Sequence, residues 1–452
     1  MEGIGADVCC LGHKSAGETR LGNEPFTWGR PRLHGVLGST LDAVRGFRRP
    51  VYAVAGGRLI NVFGSGLVYP FASIHFHLEV GIALSIVGLG LLANNVATAT
   101  GTAVGGYLAD RYGRRPVMVG SMALSAVTLA AYALVTTGAG FVAVATAAGL
   151  TMGLYAPASQ AMIADLTNPE ERERGYGLLK VASNVGFGSG FVVGGILYEF
   201  ASVAVFVADG LTSAIVAVVL LAVLPRVHEG RPAATLSESV GDWGRAISRH
   251  RLVALALLNV GFAVMYAQMQ ATVPVVASET LGLSSAQIGT LFVLNPLVLV
   301  VFQMPVLGAI SDWRRTRGLV ASTAFWGVSF LAVAAVEVVA GDASLFGVDA
   351  TLVGVVLIGV FLVLRTVGEV FHSPLVTSLA SDLGHADGRG SRLSLIEIAK
   401  RVGMGLGAAL GGAFFDFGFA ALLWPALVVG CVGLAVGLFA LERRVTPAEN
   451  GI

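Results

Sequence analysis

Residues 152–166 read MGLYAPASQAMIADL, and residues 369–383, which lie 217 positions later, read EVFHSPLVTSLASDL. Under this shift Pro157 falls on Pro374, and the Asp-Leu pair that closes the first segment falls on the Asp-Leu pair that closes the second. The register continues through four glycine matches, in which Gly186, Gly190, Gly194 and Gly195 fall on Gly403, Gly407, Gly411 and Gly412. Such self-similarity at a fixed shift indicates a chain built from two copies of one unit.

A second register, of 202 residues, relates an earlier part of each copy. It places Gly106 and Asp110 of the segment GYLAD on Gly308 and Asp312 of the segment GAISD. Both segments end an apolar stretch and are followed by arginines. The duplication therefore extends over most of the chain.

The composition identifies lipid as the solvent of this chain. Of its 452 residues, 55% are hydrophobic and 13% are charged, whereas soluble domains carry about 25% charged residues. The 29 basic and 28 acidic residues nearly cancel, which excludes a nucleic-acid binder that works through a basic surface. The apolar content excludes a disordered chain. The three cysteines are too few for a disulfide scaffold and lack metal-ligand spacing.

Apolar stretches long enough to cross a bilayer recur along the chain. A bilayer core about 30 Å thick needs roughly 20 apolar residues per helix, and a barrel strand needs only about 9–11. We therefore predict an all-α polytopic membrane protein rather than a barrel. It has twelve predicted spans, at residues 51–75, 83–109, 117–138, 140–164, 179–198, 201–224, 252–276, 287–310, 318–340, 351–378, 396–415 and 419–441.

Lysines and arginines mark one membrane face. They cluster before span 1 and after every even-numbered span, whereas the loops on the other face carry only acidic charges. Loops rich in lysine and arginine stay in the cytoplasm. We therefore predict a multi-pass protein of the cell membrane with both termini in the cytoplasm.

The spans and the repeat divide the chain into five parts. Residues 1–48 are polar, lack the apolar core of a signal peptide and are predicted to form a flexible cytoplasmic leader. Six-helix bundles at 49–224 and 251–441 flank a charged cytoplasmic linker at 225–250, and 442–452 form a cytoplasmic tail. Parallel repeats of this kind place a substrate site near the middle of the bilayer and allow the halves to rock.

The segment GYLADRYGRR after span 2 resembles the loop signature of the major facilitator superfamily. Its fixed positions all match, at Gly106, Asp110, Arg111, Gly113, Arg114 and Arg115. The span 5 segment GFGSGFVVGG is similar to a motif of the twelve-span drug:proton antiporters of that superfamily, with Phe191 where proline is usual. In span 4, Ala145 replaces an arginine that the family links to proton coupling. The resemblance implies the major facilitator fold, with two six-helix pseudo-repeats, and a role in multidrug efflux.

Span 10 contains three ionisable residues on one helical face, Arg365, Glu369 and His372, at spacings of four and three. Ionisable groups within a membrane cost about 2.5–3.5 kcal/mol on insertion scales, so each is a functional candidate. We predict that Glu369 binds the coupling proton, that Arg365 biases its charge and that His372 is a second titratable group. The alternative is a structural pair of Arg365 with Glu369. Asp209, early in span 6, is a further candidate for proton coupling, expected to face the outer cavity.

Polar stripes in apolar spans must avoid lipid. They either line a water-filled cavity or form hydrogen bonds between helices, and taken together they favour a central substrate cavity with contributions from both halves. The candidates for this cavity are Arg58, Asn61, Tyr69, Tyr266, Gln270, Asn295 and Gln303.

The glycines and the loop signature are candidates for conformational change. Glycines at four-residue spacing let a neighbouring backbone approach closely, which serves either packing alone or a hinge between the halves. Asp110 can face the positive N-terminal end of a helix in the second half. We expect a cytoplasmic latch of Asp110, Arg114 and the start of span 11, near Lys400 and Arg401. Alternatively, the arginines only follow the orientation rule.

The sequence favours a secondary active transporter that exports small amphipathic or hydrophobic compounds and is driven by protons. Uptake of a small polar metabolite, by proton symport or by facilitated diffusion, stays open because Ala145 departs from the antiporter pattern. A polytopic enzyme lacks support, since no GxSxG and no Walker loop occurs, and a non-transporting receptor is a further alternative. We expect a monomer that has no cofactor, binds a small-molecule substrate and lipid, and binds no nucleic acid.

Overall fold

The computed structural model describes residues 46–225, 248–341, 349–383 and 389–451. Nearly all of the predicted leader and linker therefore lies outside the described residues. The described residues form twelve long helices and no strand: α1 (Arg49–Val68), α2 (Leu84–Tyr112), α3 (Arg114–Ala130), α4 (Gly138–Leu166), α5 (Pro169–Phe200), α6 (Ala204–Val223), α7 (His250–Ala271), α8 (Ser285–Phe292 and Leu294–Ala309), α9 (Arg315–Gly341), α10 (Ala350–Asp382), α11 (Arg389–Asp416) and α12 (Ala420–Glu442).

Eleven of these helices are long and apolar enough to cross a membrane. The remaining helix, α11, is less apolar because Lys400 and Arg401 lie within it. Nine of the twelve helices begin earlier than the apolar runs predicted, most clearly α5, which begins at Pro169 instead of residue 179. The helices α2, α6 and α12 begin one to three residues later than predicted. The predicted starts of α5 and α11 are too late because the apolar criterion excluded their charged first turns, although backbone hydrogen bonding continues through these turns.

Three helices that the sequence presented as continuous are interrupted, in each case beside a proline. Pro70 follows the end of α1, which continues as short turns from Ala72–Ile74 and His75–Glu79. Pro274 is the second residue of the short helix Val273–Glu279 that continues α7, and Pro296 lies just after the break in α8. Proline removes a backbone donor and clashes with the preceding turn, so helices break or bend there.

Helix packing repeats between the two halves. In the first half α1 packs on α5, α2 on α4 and α3 on α6, and in the second half α7 packs on α11, α8 on α10 and α9 on α12. The halves meet through two equivalent pairs, α2 with α11 and α5 with α8. The pseudo-repeat in the sequence is therefore also a repeat of contacts.

The repeated glycines permit these close approaches. A Cβ atom at Gly194 would lie 2.7 Å from the Cα atom of Leu67 in α1, and Gly186 and Gly190 meet the same helix. Gly403, Gly407 and Gly411 meet α7 in the equivalent way. These six glycines therefore pack helices within each half. Gly195 and Gly412 instead meet the backbone of α8 and α2, across the boundary between the halves.

We call the membrane face that carries the clustered arginines the basic face and the opposite one the acidic face. Near the acidic face, two carboxylates join the halves. Asp416, at the end of α11, accepts hydrogen bonds from the backbone N–H groups of Leu84 and Ser85 at 2.9 and 2.8 Å. Glu199, near the end of α5, accepts one from the N–H of Ala286 at 3.0 Å. We call these two contacts the clasps.

The clasps are related by the sequence repeat. The shift of 217 residues places Glu199 on Asp416, and the shift of 202 places Leu84 on Ala286. Each carboxylate therefore caps the first turn of a helix in the other half, where unpaired N–H groups and the helix dipole favour negative charge. The halves are closed at the acidic face in this structure.

Candidate functional site

Glu369 is the centre of a hydrogen-bonded group of side chains in the second half. Its carboxylate accepts hydrogen bonds from the guanidinium of Arg365 at 2.6 Å and from the hydroxyl of Tyr266 at 3.1 Å. The amide of Asn295 lies 3.4 Å from the same carboxylate and donates to the hydroxyl of Thr366 at 2.9 Å. Three helices, α7, α8 and α10, therefore converge on one carboxylate.

Arg365 is almost completely buried, with 1% of its surface exposed. The guanidinium lies over the ring of Tyr266 at 3.9 Å from the centroid. Its Nε and Nη2 atoms have no hydrogen-bond partner among the described residues, so the ion pair with Glu369 is its principal compensation. A buried arginine of this kind depends strongly on the charge of its carboxylate.

His372 lies one turn beyond Glu369 on α10. Its Nε2 atom hydrogen-bonds the side chain of Asn259 at 3.1 Å, and its ring packs on Phe262 and Trp326. Glu369 and His372 line the same cavity of about 110 Å³, together with Tyr266. The two titratable groups predicted on α10 therefore share a cavity but have different partners.

Tyr69, directly after α1, packs its ring on Phe187 and Phe191 of α5. Phe191 in turn packs on Phe292 of α8, with 6.0 Å between the ring centroids. Because Asn295 of α8 belongs to the carboxylate group, this group lies next to the boundary between the halves.

The other predicted cavity residues have separate positions. Arg58 donates from Nε to the hydroxyl of Ser183 at 2.9 Å and lines a second cavity in the first half. Asn61 is buried beside it on α1. Gln270 contributes its backbone carbonyl, which accepts from Ser73 at 3.1 Å. Gln270 and Gln303 are absent from the carboxylate group and from the described linings of both cavities.

Asp209, which we expected to face the outer cavity, is buried inside the first bundle and is absent from the described cavity linings. Only 2% of its surface is exposed, and it packs against Gly64 of α1 and Thr212 within the first bundle. One of its carboxylate oxygens has no hydrogen-bond partner among the described residues. The sequence located Asp209 in a span but not on the face of α6 that meets α1.

The predicted latch has other partners in this structure. The guanidinium of Arg114 forms an ion pair with Asp165, at the end of α4, and Arg401 pairs with Glu397 one turn earlier on α11 at 3.2 Å. Asp110 and Asp312 are exposed at the basic face. Closure at the acidic face explains this, because the α2 and α11 contacts at Gly88 and Gly405 lie in the acidic-face part of both helices.

The remaining residues of the loop signature have local roles. Arg111 donates to the hydroxyl of Tyr107 at 2.9 Å, and Arg115 donates to the carbonyl of Leu221. Gly113 has a φ of 92°, which favours glycine, and forms the turn between α2 and α3. A Cβ atom at Gly106 or Gly308 would meet nothing within 4 Å. These two glycines are therefore not required for packing in this conformation.

Sequence reasoning missed two sets of contacts, and the repeat gave a signal for one of them. The ion pair of Arg114 with Asp165 has an equivalent in Arg315 with Asp382, at 2.6 Å. Gln268, which is completely buried, donates to the carbonyl of Gly407 at 2.9 Å and joins α7 to α11. Asp165 and Asp382 match in the register of 217 residues, so conserved spacing was the available signal for that pair.

Comparison with known proteins identifies relatives along nearly the whole chain. The family model described as Major Facilitator Superfamily matches residues 54–335 and 258–452. The MFS-type transporter YttB of Bacillus subtilis, itself described as uncharacterized, is 25% identical over 87% of this chain and 95% of its own length. The multidrug resistance protein MdtH of Photorhabdus laumondii is 26% identical over 87% of this chain and 94% of its own.

Solved structures have the same fold at low identity. The nucleoside transporter NupG aligns with a TM-score of 0.74 at 13% identity and covers 88% of this chain and all of its own. An auto-inhibited peptide transporter of the POT family aligns with a TM-score of 0.69 at 15% identity, over 88% of this chain and 98% of its own. The relatives and structural neighbours are membrane transporters and not enzymes. With its repeated six-helix halves and a family match that extends from residue 54 to residue 452, this chain belongs to the Major Facilitator Superfamily of membrane transporters.

Proposed function

We propose that this transporter exports small amphipathic compounds in exchange for protons, by alternating access. The observation that carries the proposal is the carboxylate of Glu369, which lines a cavity beside the boundary of the halves and is the principal partner of a buried arginine. The similarity to a protein named for multidrug resistance supports export as the direction.

The environment of Arg365 supports the proposal of proton coupling. Protonation of Glu369 removes the negative charge that compensates the buried guanidinium, and breaking a buried ion pair in this way costs about 3–5 kcal/mol. The protonated state is therefore more stable if α10 moves relative to Tyr266 and Asn295, so that Arg365 finds other partners. Binding and release of a proton can thereby bias the two conformations of the transporter.

The test is transport by the purified full-length protein in vesicles, with ethidium and phenylnaphthylamine as probes. We expect Glu369→Gln to abolish accumulation driven by a proton gradient and to retain exchange of probe across the membrane without a gradient. Glu337→Gln is the matched control, since Glu337 is also an intramembrane carboxylate but binds the indole of Trp424 at 2.9 Å, away from the cavity. Proton-driven export by Glu369→Gln at the wild-type rate would refute the role.

We also propose that the basic face is cytoplasmic, with both termini on that side of the cell membrane. The clustered arginines support this orientation. A cysteine introduced at Arg443 should react with a membrane-impermeant maleimide only after cells are opened, whereas a cysteine at Thr280 should react in intact cells. The opposite labelling pattern would show that the basic face is extracellular and would refute the proposed orientation.

A second function, uptake of a small polar metabolite, is favoured by Ala145. This residue is fully buried, and its carbonyl accepts a hydrogen bond from Asn94 of α2 at 2.9 Å. At this position α2 packs closely on α4, and alanine stands where the antiporter pattern has an arginine. Export and uptake differ in the effect of the gene on a host, because expression lowers the accumulation of an exported probe and raises that of an imported one.

A further inference from the structure

The first half contains a cavity whose charges are all positive. It has a volume of about 350 Å³ and lies between α1, α4 and α5. Arg58 and Lys180 line it, and no carboxylate occurs in its described lining. The remaining polar lining consists of hydrogen-bonding groups without charge: Ser159, Gln160, Tyr176 and Ser183.

Neither cation is compensated by an acidic side chain among the described residues. Arg58 lies nine residues after the start of α1, which places it about 13 Å along the helix, and it donates a hydrogen bond to the hydroxyl of Ser183. Two buried or half-buried arginines of the second half do have carboxylate partners: Arg365 pairs with Glu369, and Arg401 pairs with Glu397. Charged groups inside a membrane are costly and mark sites of function.

The sequence repeat shows what distinguishes this cavity from its counterpart. The shift of 217 residues places Lys180 on Glu397 and Ser183 on Lys400, and both counterparts line the cavity of Glu369. The two halves therefore present equivalent cavities of different charge. The second-half cavity contains two carboxylates, Glu369 and Glu397, beside the cation Lys400, whereas the charged residues of the first-half cavity are the two cations.

We propose that the cavity of Arg58 and Lys180 binds an anionic group, a carboxylate or a sulfonate, of the transported amphipathic compound. This rests on the proposed transport function and specifies its substrate class. The guanidinium can bind both oxygens of such a group, and the ammonium adds a point charge. The uncharged donors of Gln160 and Tyr176 can satisfy further lone pairs of the anion.

Equilibrium binding to the purified full-length protein tests this proposal. The probes are anilinonaphthalene sulfonate and phenylnaphthylamine, which share their ring system and differ in the sulfonate, in vesicles of phosphatidylcholine. Loss of one charge-assisted hydrogen bond is expected to weaken binding by about tenfold or more. We expect that loss for the sulfonate probe in Arg58→Gln and in Lys180→Gln, and no loss for phenylnaphthylamine. Arg443→Gln, an exposed cation at the end of α12, is the matched control.

A reversed charge provides a gain-of-function test. Lys180→Glu copies the residue at the equivalent position of the second half, Glu397. This variant should lose affinity for the sulfonate probe and gain affinity for ethidium. Because Lys180 is exposed, its replacement is expected to leave the fold intact.

Three results would overturn the proposal. The first is unchanged sulfonate binding in both glutamine variants, and the second is an equal loss of both naphthalene probes. The third is displacement of the sulfonate probe by added phosphatidylglycerol, which would assign the cavity to a lipid headgroup. A transport measurement distinguishes failure of the anion site from failure of the proposed function. Export of ethidium without sulfonate binding contradicts only the anion site, whereas sulfonate binding without export of any probe contradicts only the proposed function.

Discussion

Removal of the Asp416 carboxylate should shift the protein away from the conformation that is closed at the acidic face. Asp416 accepts two backbone N–H groups of α2, at 2.9 and 2.8 Å. Loss of a helix cap costs about 0.5–2 kcal/mol, and loss of a charge at a helix N-terminus costs about 0.3–1 kcal/mol more. A difference of about 1–3 kcal/mol changes the ratio of two conformations by about 5–150-fold.

In the proposed alternating-access cycle, rocking of the halves would separate α11 from α2 at the acidic face, so the clasp would stabilise one conformation selectively. Asp416→Asn should therefore increase the population that is open at this face. Glu199→Gln should have a smaller effect, since Glu199 binds one described N–H group, at 3.0 Å. The double variant should approach the sum of the two, because the clasps lie on different helix pairs.

Electron–electron distances between spin labels measure this population. Labels at Val203 and Thr280 report on the acidic face from the two halves, and serine at Cys9 and Cys10 leaves Cys431, which is buried, as the remaining native cysteine. Glu279→Gln is the matched control, since Glu279 is an exposed carboxylate on the same face. A distance distribution that is unchanged in the double variant, with unchanged thermal stability, would refute a conformational role for the clasps.

Two further predictions concern packing. Gly106→Leu should fold with a stability within about 0.5 kcal/mol of wild type, because a side chain there meets open space, yet it should impair transport by obstructing closure at the basic face. Gly105→Leu should instead lower the free energy of unfolding by about 1–3 kcal/mol through overpacking, since its Cβ would lie 2.7 Å from the backbone of Leu154. Equal transport by Gly106→Leu and wild type would contradict the first expectation, and a stable Gly105→Leu the second. Asn450→Ala should lower the free energy of unfolding by about 0.5–2 kcal/mol, because the Asn450 side chain caps α9 through the N–H of Thr316 at 3.0 Å; a thermal melt in detergent measures this, and no change would show that the tail does not stabilise α9.

Much of the fold was predictable from the sequence. A helix in lipid satisfies its backbone hydrogen bonds within itself, so each span is specified by its own residues. Helical periodicity correctly predicted that Arg365 and Glu369 share a face, and they pair at 2.6 Å. The repeat predicted which helices are equivalent, and the structure confirms equivalent packing in both halves.

The partners of these residues were not predictable in the same way. Tyr266 and Asn295 reach Glu369 from 103 and 74 residues away along the chain. Hydropathy specifies how much of a helix is apolar but not which neighbour each face meets. For this reason Asp209 was located in α6 but not in the packed interior of the first bundle, and the prolines beside α1, α7 and α8 gave no prediction of the breaks.

The sequence by itself determined a multi-pass membrane protein of twelve long helices, built as a duplicated unit of the Major Facilitator Superfamily, because lipid enforces local hydrogen bonding and duplication leaves matching positions. Tertiary structure decided which conformation is stable and which charges are compensated. The clasps of Glu199 and Asp416, the pair of Arg114 with Asp165 and the cavity of Arg58 all join segments distant in sequence. Such contacts depend on the relative positions of helices, which no single segment encodes.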